Sequence, residues 1–176
     1  MSKILVVVYS FTGTGRRVAQ MLCAQQQWPM GEVLEQRARP GGGLSTWRCI
    51  LDSLLRRRPA IRYCGPPIEG ADTVVLIAPV WMRRLAAPMR SFVVSHRASL
   101  PPIAVISVMS ARGATRAVAE IADLAGKPPL LDTSLTSREV DDGSFSVRLQ
   151  AFGDALQAAE TKSAPTRPVI WSPQAV

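Results

Sequence analysis

The chain has 176 residues, 47% of them hydrophobic, and a formal net charge of +8. This length fits one domain with a sizeable core, and no apolar run reaches the roughly 18 residues that a membrane span needs. The short apolar start lacks the features of a signal peptide. Because the cysteines Cys23, Cys49 and Cys64 lack disulfide-type or metal-type spacing, we expect inert thiols in a cytoplasmic protein.

The positive charge is concentrated in one segment. Residues 37–67 contain seven arginines and one aspartate, and Arg56, Arg57 and Arg58 are consecutive. Such a run fits an acidic partner, nucleic acid or an anionic membrane, and it equally fits a solvated loop. The chain has no nucleic-acid motif with interleaved aromatic residues, so nothing favours nucleic acid specifically.

Strand-like and helix-like segments alternate along the chain. Strands are predicted at 3–9, 32–36, 73–78, 103–108 and 130–136, and helices at 14–26, 46–57, 87–97, 114–125 and 144–160. Ser45 is a candidate N-cap for the second helix, whose apolar residues share one face, and residues 60–72 are predicted to be irregular. The alternation predicts a three-layer, doubly wound α/β domain with a five-stranded, mostly parallel sheet.

The first strand leads into a loop with the chemistry of a phosphate site. Residues 10–15 combine the hydroxyls of Ser10, Thr12 and Thr14 with glycines, and a helix follows at once. Loop N–H groups and a helix N-terminus together bind anions. The loop lacks the GxxxxGK[ST], GxGxxG and Cys-x5-Arg patterns, which predicts a phosphate monoester held without catalysis. The alternative is an ordinary strand–helix turn, since turns favour the same residue types.

Two further loops follow strands of the predicted sheet, at 79–84 and 109–113. Ligands of doubly wound sheets bind beyond the carboxyl ends of the strands, so these loops are expected beside loop 10–15. Trp81 offers a flat apolar surface for a ligand, although it could also serve only to pack the loop.

These motifs resemble the flavodoxin-like family, which binds FMN. The family's phosphate loop reads approximately [ST]-x-T-G-x-T, and Ser10, Thr12, Gly13 and Thr14 match it. Gly15 stands where the last threonine is expected. Arg16 follows and could supply charge instead, or could point into water.

The second loop strengthens the resemblance. Ala78-Pro79-Val80-Trp81, followed by the segment from Leu85 to Phe92, resembles the family's PVW…LAPP-hydrophobic-R-x-F signature. The resemblance implies that Trp81 stacks on the isoalloxazine ring and that backbone near 80–83 contacts its N5 edge. Arg83 replaces a frequent glycine, and would either crowd the flavin or stabilise its anionic reduced form.

The third loop, residues 110–113, is where relatives carry a glycine-rich loop at the pyrimidine edge of the ring, and Arg112 could donate to a ring carbonyl there. The resemblance therefore implies a flavodoxin-like domain over residues 1–160, strand order 2-1-3-4-5, with an Arg-rich insertion at 37–67 and a tail at 161–176. The implied cofactor contacts are Ser10, Phe11, Thr12, Gly13, Thr14, Gly15, Pro79, Val80, Trp81, Met82, Arg83, Ser110, Ala111, Arg112 and Gly113.

The resemblance also implies an activity. An FMN flavoprotein would take electrons from NAD(P)H or a redox partner and pass them to a quinone-type acceptor. No side-chain set recognisable as catalytic or metal-binding occurs, so any chemistry is expected from the cofactor. Two alternatives stay open: an electron-transfer flavodoxin without its own substrate, which the basic charge disfavours, and a flavin-less binding protein that uses the Arg-rich surface at 37–64.

Overall fold

The computed structural model describes residues 3–36, 43–109 and 113–163. Its strands are β1 (Ile4–Val8), β2 (Met30–Glu35), β3 (Ile61–Cys64), β4 (Thr73–Trp81), β5 (Arg84–Leu85), β6 (Ile103–Met109) and β7 (Leu131–Thr136). Its helices are α1 (Thr14–Gln26), α2 (Gly43–Leu54), α3 (Ala87–Ser95), α4 (Ala114–Ala125), α5 (Ser137–Asp142) and α6 (Phe145–Ser163).

One mixed sheet forms the middle layer, in the order β3-β2-β1-β4-β6-β7, with β5 paired to β4. The prediction of five strands is wrong: β3 and β5 bring the described sheet to seven strands. Both added strands are short and antiparallel to their neighbours. β3 was missed because its four residues alternate between half-buried and exposed and lie close to Pro66-Pro67, which is a weak strand pattern.

Helices cover both faces of the sheet, and alternate residues of β1 pack against the two helix layers. Ile4, Val6 and Val8 pack with α1, α5 and α6 on one face. Leu5 and Val7 pack with α3 and α4 on the other face. All five residues of β1 are buried, as expected for a central parallel strand covered on both faces.

The segment 79–84 forms a hairpin, not the predicted loop. β4 continues to Trp81 and returns as β5, with Val80 opposite Leu85 and Trp81 opposite Arg84. The two turn residues, Met82 and Arg83, both have positive φ, at 48° and 64°. Such a two-residue turn normally contains glycine or asparagine, which is why the sequence did not indicate a hairpin.

The other departures concern helices. α2 begins two residues before Ser45, so Ser45 lies inside the helix and is not its N-cap. α5 was not predicted, although Thr136 and Glu139 form a capping box at its start. α6 extends through Ser163, so the predicted tail begins as helix, and the remaining tail residues 164–176 lie outside the described residues. Across the described ranges, none of the helices is both long and apolar enough to cross a membrane.

Candidate functional site

The first two predicted loops meet at one cavity. This space of about 110 Å³ lies at the carboxyl ends of β1, β4, β6 and β7. It is lined by Ser10, Phe11, Thr12, Thr14, Gly15, Pro79, Val80, Trp81, Val108, Met109 and Ser137. We refer to it as the loop cavity.

The β1–α1 loop presents free backbone donors at the N-terminus of α1. The Gly13 N–H donates to Ser10 Oγ at 3.1 Å, which folds the loop back on itself. Gly13 has a φ of 92° and makes no side-chain capping bond to the helix. The first N–H groups of a helix have no intrahelical partner, and α1 has no acidic residue in its first turn. This end of α1 is therefore suited to a bound anion.

The glycine at position 15 has a steric cause. A Cβ there would lie 3.3 Å from the Tyr9 carbonyl oxygen and 3.4 Å from Ser10 Cβ. These neighbours belong to the buried end of β1 and to the folded loop, so they have little room to move. The threonine expected at this position would therefore press on the loop. The hydroxyls of Thr12 and Thr14 lie 3.2 Å apart and form the polar part of the cavity wall.

Arg16 neither turns into the loop nor points freely into water. Its guanidinium forms an ion pair with Glu32 of β2, and Nε lies 3.0 Å from Glu32 Oε1. The positive charge is thus neutralised by a neighbouring strand. The local field at the loop comes from backbone N–H groups, and Arg16 does not replace the missing hydroxyl.

Trp81 lies at the end of β4 with its indole half-buried against the core. Its Nε1–H is buried and has no hydrogen-bond partner among the described residues. Trp81 also lines a smaller space with Tyr9, Cys49 and Ser53, beneath α2. A buried N–H without an acceptor is costly, and because this atom is closed to solvent, the part of the indole that a ligand can reach is the carbon surface of the ring.

Met82, Arg83 and Gly113 do not line the loop cavity. Met82 and Arg83 are exposed at the tip of the hairpin. A Cβ on Gly113 would lie 2.6 Å from Arg83 Cγ and 2.8 Å from Arg83 Cα, and Gly113 has a φ of 122°. Arg83 therefore packs directly on the start of α4. The other third-loop candidates, Ser110, Ala111 and Arg112, lie outside the described residues.

Two residues of the cavity wall, Val108 and Ser137, were not predicted, and a third, Met109, was predicted only as the first residue of the loop 109–113. Val108 and Met109 end β6, and Ser137 begins α5. The signal for Ser137 was present in the sequence, since Thr136-Ser137-Arg138-Glu139 has the capping-box pattern that starts a helix. Val108 and Met109 carry no chemistry that marks them, and only the sheet register brings them to this edge.

A wider cleft of about 790 Å³ adjoins the loop cavity and shares Ser10 and Phe11 with it. Its other walls are Tyr9, the end of β2 and Arg62 of β3. The Tyr9 hydroxyl donates to Glu35 Oε1 at 2.8 Å, and both residues line the cleft. Because β3 was not predicted, this side of the site was missed.

The surroundings of the remaining reactive side chains, which are histidine and cysteine, suit a structural role. His96 follows the last residue of α3, where its Nδ1 lies 3.0 Å from the Phe92 carbonyl oxygen. Burial raises the pKa of Cys23 to about 11, which keeps this thiol protonated. The described cysteines are free, and no group of three His, Cys, Asp or Glu residues within the described ranges could hold a metal.

Comparison with known proteins identifies the fold. No family model and no curated protein matches the chain. A flavoprotein from Lactobacillus acidophilus, solved in complex with FMN, superposes with a TM-score of 0.67 at 18% identity, covering 82% of this chain and 99% of that one. A WrbA-like flavodoxin from Agrobacterium tumefaciens gives 0.59 at 11% identity, covering 92% and 99%. The chain has a flavodoxin-like fold.

The flavodoxin-like fold also accounts for where the cavity lies. The connection from β1 leads to β2 on one side, and the next parallel strand, β4, pairs on the opposite side of β1. The carboxyl ends of two strands with such diverging connections leave a crevice, which is the usual ligand position in doubly wound sheets. The loop cavity occupies this position between β1 and β4.

Proposed function

We propose that this protein is an FMN-binding flavoprotein that acts as an oxidoreductase. The observation that supports the proposal is the loop cavity, which residues of the hydroxyl-and-glycine loop and the Pro79-Val80-Trp81 segment line together. The Lactobacillus acidophilus flavoprotein, which shares the fold, was solved with FMN.

The β1–α1 loop fits the phosphate end of FMN. The hydroxyls of Ser10, Thr12 and Thr14 and the first N–H groups of α1 are all donors suited to a phosphate. Because Arg16 is paired with Glu32, this site would hold the phosphate by hydrogen bonds and the helix dipole, without a salt bridge from that residue. We therefore expect an affinity that depends strongly on the threonine hydroxyls.

The carboxyl end of β4 fits the isoalloxazine ring of FMN. Trp81 is half-buried at the end of β4 and offers an apolar surface for the ring. The adjoining cleft beside Tyr9 and the end of β2 adds the volume that a ligand of this size needs. Bound FMN would supply the redox chemistry, and the chain would bind it, orient it and exclude water from one side.

A titration with FMN tests the proposal. Quenching of flavin fluorescence would give the Kd of the wild type and of two variants, Thr12→Val and Trp81→Leu. We expect each variant to raise the Kd by about tenfold, the cost of one lost hydrogen bond or ring contact. The matched control for Thr12→Val is Thr161→Val, at an exposed position near the C-terminal end of α6, which should leave the Kd unchanged. A wild type that neither binds FMN nor gains thermal stability from it would contradict the proposal.

The identity of the electron donor and of the acceptor is the more specific part of the proposal. We expect NAD(P)H oxidation with a quinone-type acceptor once FMN is bound. If FMN binds but neither nicotinamide is oxidised, the protein is an electron carrier reduced by a redox partner. If FMN does not bind, a binding protein that uses the Arg-rich segment becomes the better explanation.

A further inference from the structure

We propose that α2 docks this protein on an anionic phospholipid surface. Of the large apolar side chains that are exposed in the described chain, half are clustered in residues 47–55. Their exposed fractions are 66% for Trp47, 49% for Leu51, 43% for Leu54 and 60% for Leu55. The other exposed apolar residues, such as Val147 on α6, are scattered, which is normal for a surface. The inference does not depend on flavin binding.

The orientation of α2 is the reverse of a typical surface helix. Cys49, Asp52 and Ser53 are buried on its inner side, whereas Trp47, Leu51 and Leu54, spaced at i, i+4 and i+7, face solvent. The sequence pattern would instead place this apolar stripe against the core. The stripe is therefore left without a partner in the described chain.

Polar contacts hold α2 in this orientation. The buried guanidinium of Arg90 donates to the Ser53 carbonyl oxygen at 3.3 Å and to that of Arg57 at 3.2 Å. It also forms an ion pair with buried Glu120. If the helix rolled to bury its leucines, Arg90 would lose these acceptors while remaining buried, which is strongly unfavourable. The exposure of the apolar stripe is thus built into the fold.

Unpaired arginines lie beside the stripe. Arg56 and Arg58 follow α2 directly, and together with Arg84 and Arg116 they line a cavity of about 380 Å³. Among the described residues, none of these four guanidinium groups has a side-chain hydrogen bond or an ion pair. The carboxylates in this cavity are Glu120, which is paired with Arg90, and Asp123. The cavity therefore carries an excess of positive charge.

An anionic membrane is the occupant that fits both features. Helices that lie in a membrane interface place tryptophan and leucine at the acyl boundary and basic residues beside the lipid phosphates. A polypeptide partner would satisfy the leucines, but it would also need several closely spaced carboxylates to match the arginines. A second copy of this chain would bring a second basic surface against the first, which is repulsive.

Vesicle flotation tests the proposal. The full chain is mixed with vesicles of equal parts phosphatidylglycerol and phosphatidylcholine, or of phosphatidylcholine alone. We expect binding to the anionic vesicles at least about tenfold tighter than to the neutral ones, and weakening as salt rises because the Debye length falls from about 8 Å at physiological salt to about 3 Å at 1 M. The Trp47 emission should shift to the blue on binding.

Two variants and two controls locate the surface. Trp47→Ser and Arg58→Glu should each weaken vesicle binding by about fivefold or more. Val147→Ser and Lys162→Glu likewise replace an apolar residue by serine and a cation by glutamate, at exposed positions of α6, and should leave binding intact. All four positions are exposed, so the variants should keep the melting temperature of the wild type.

Several outcomes would overturn the proposal. The proposal is wrong if the protein does not bind vesicles, or if it binds both lipid mixtures equally. It is also wrong if the Trp47→Ser variant binds as well as the wild type. Sedimentation showing a dimer that Trp47→Ser dissociates would also overturn it, since the stripe would then be an interface between copies. Because FMN titration needs no vesicles, failure here is distinguishable from failure of the flavoprotein proposal.

Discussion

The two helices α1 and α2 have similar lengths and opposite relations to the core. α1 buries Val18, Ala19 and Leu22 completely, so apolar burial holds it on the sheet. α2 buries Asp52 and Ser53 and leaves Leu51 and Leu54 in solvent, so hydrogen bonds from Arg90 hold it. The comparison shows that amphipathic periodicity predicts a helix without fixing which face the fold will bury.

The largest expected effect is the loss of the group that holds α2. Arg90→Met leaves Glu120 buried without its counter-charge and removes the donors to the Ser53 and Arg57 carbonyls. Breaking one partner of a buried ion pair typically costs about 3–5 kcal/mol. Urea unfolding should therefore show a loss of this size in the free energy of unfolding.

Arg97 provides the control, since Arg97→Met makes the same change at an exposed position just beyond α3. We expect Arg97→Met to lower the free energy of unfolding by less than about 0.5 kcal/mol. Adding Glu120→Gln to Arg90→Met should recover part of the loss, because the uncompensated charge is removed. A loss below about 1 kcal/mol for Arg90→Met would mean that apolar contacts hold α2 after all.

A matched pair of leucine truncations addresses the comparison directly. Leu22→Ala removes a fully buried side chain of α1, and should cost about 2–5 kcal/mol through lost burial and the cavity left behind. Leu51→Ala removes an exposed side chain of α2, and should change stability by less than about 0.5 kcal/mol. Thermal or urea unfolding measures both. Equal losses would show that the stripe on α2 is covered in solution.

The parts of the fold that the sequence predicted are those governed by burial on both sides. The apolar runs of β1, β4 and β6 could hardly form anything but central strands, and α1 and α4 begin at the predicted residues. β3 and β5 could not be predicted in the same way. Their pairing depends on the register of neighbouring strands, and the Met82-Arg83 turn adopts a conformation that neither residue favours.

The candidate site shows the same difference between features that local sequence predicts and features that it does not. The cavity wall formed by residues of the β1–α1 loop other than Gly13, and by Pro79 to Trp81, follows from local motifs, and these residues do meet. Long-range contacts determine where the other predicted site residues lie. The pairing of Arg16 with Glu32 and the packing of Arg83 on Gly113 both join residues far apart in sequence. Arg90, which the motif placed among the family's signature residues, is a buried structural group, and no local pattern distinguishes that role.

The smallest expected effect concerns how helices begin. α5 has a complete capping box, in which Thr136 Oγ1 accepts from the Glu139 N–H and Glu139 accepts from the Thr136 N–H. α1 has no side-chain cap, which leaves its donors free for a ligand. Thr136→Ala should therefore cost about 1 kcal/mol, measured by urea unfolding at neutral pH.

The pH dependence isolates the part of this cap that involves the Glu139 carboxylate. Hydrogen bonds from the Thr136 N–H and hydroxyl, with a smaller contribution from Arg148, hold the pKa of Glu139 below its usual range. A lowered pKa in the folded state stabilises the protein above the usual glutamate pKa, and the stabilisation is lost as the pH falls through the lowered value. The difference between the wild type and Thr136→Ala should therefore shrink in acid. A difference that stays constant down to full protonation of Glu139 would mean that the bond from the Thr136 hydroxyl to the carboxylate contributes nothing, and that the cap of α5 depends only on the bond from the Glu139 N–H to Thr136 Oγ1.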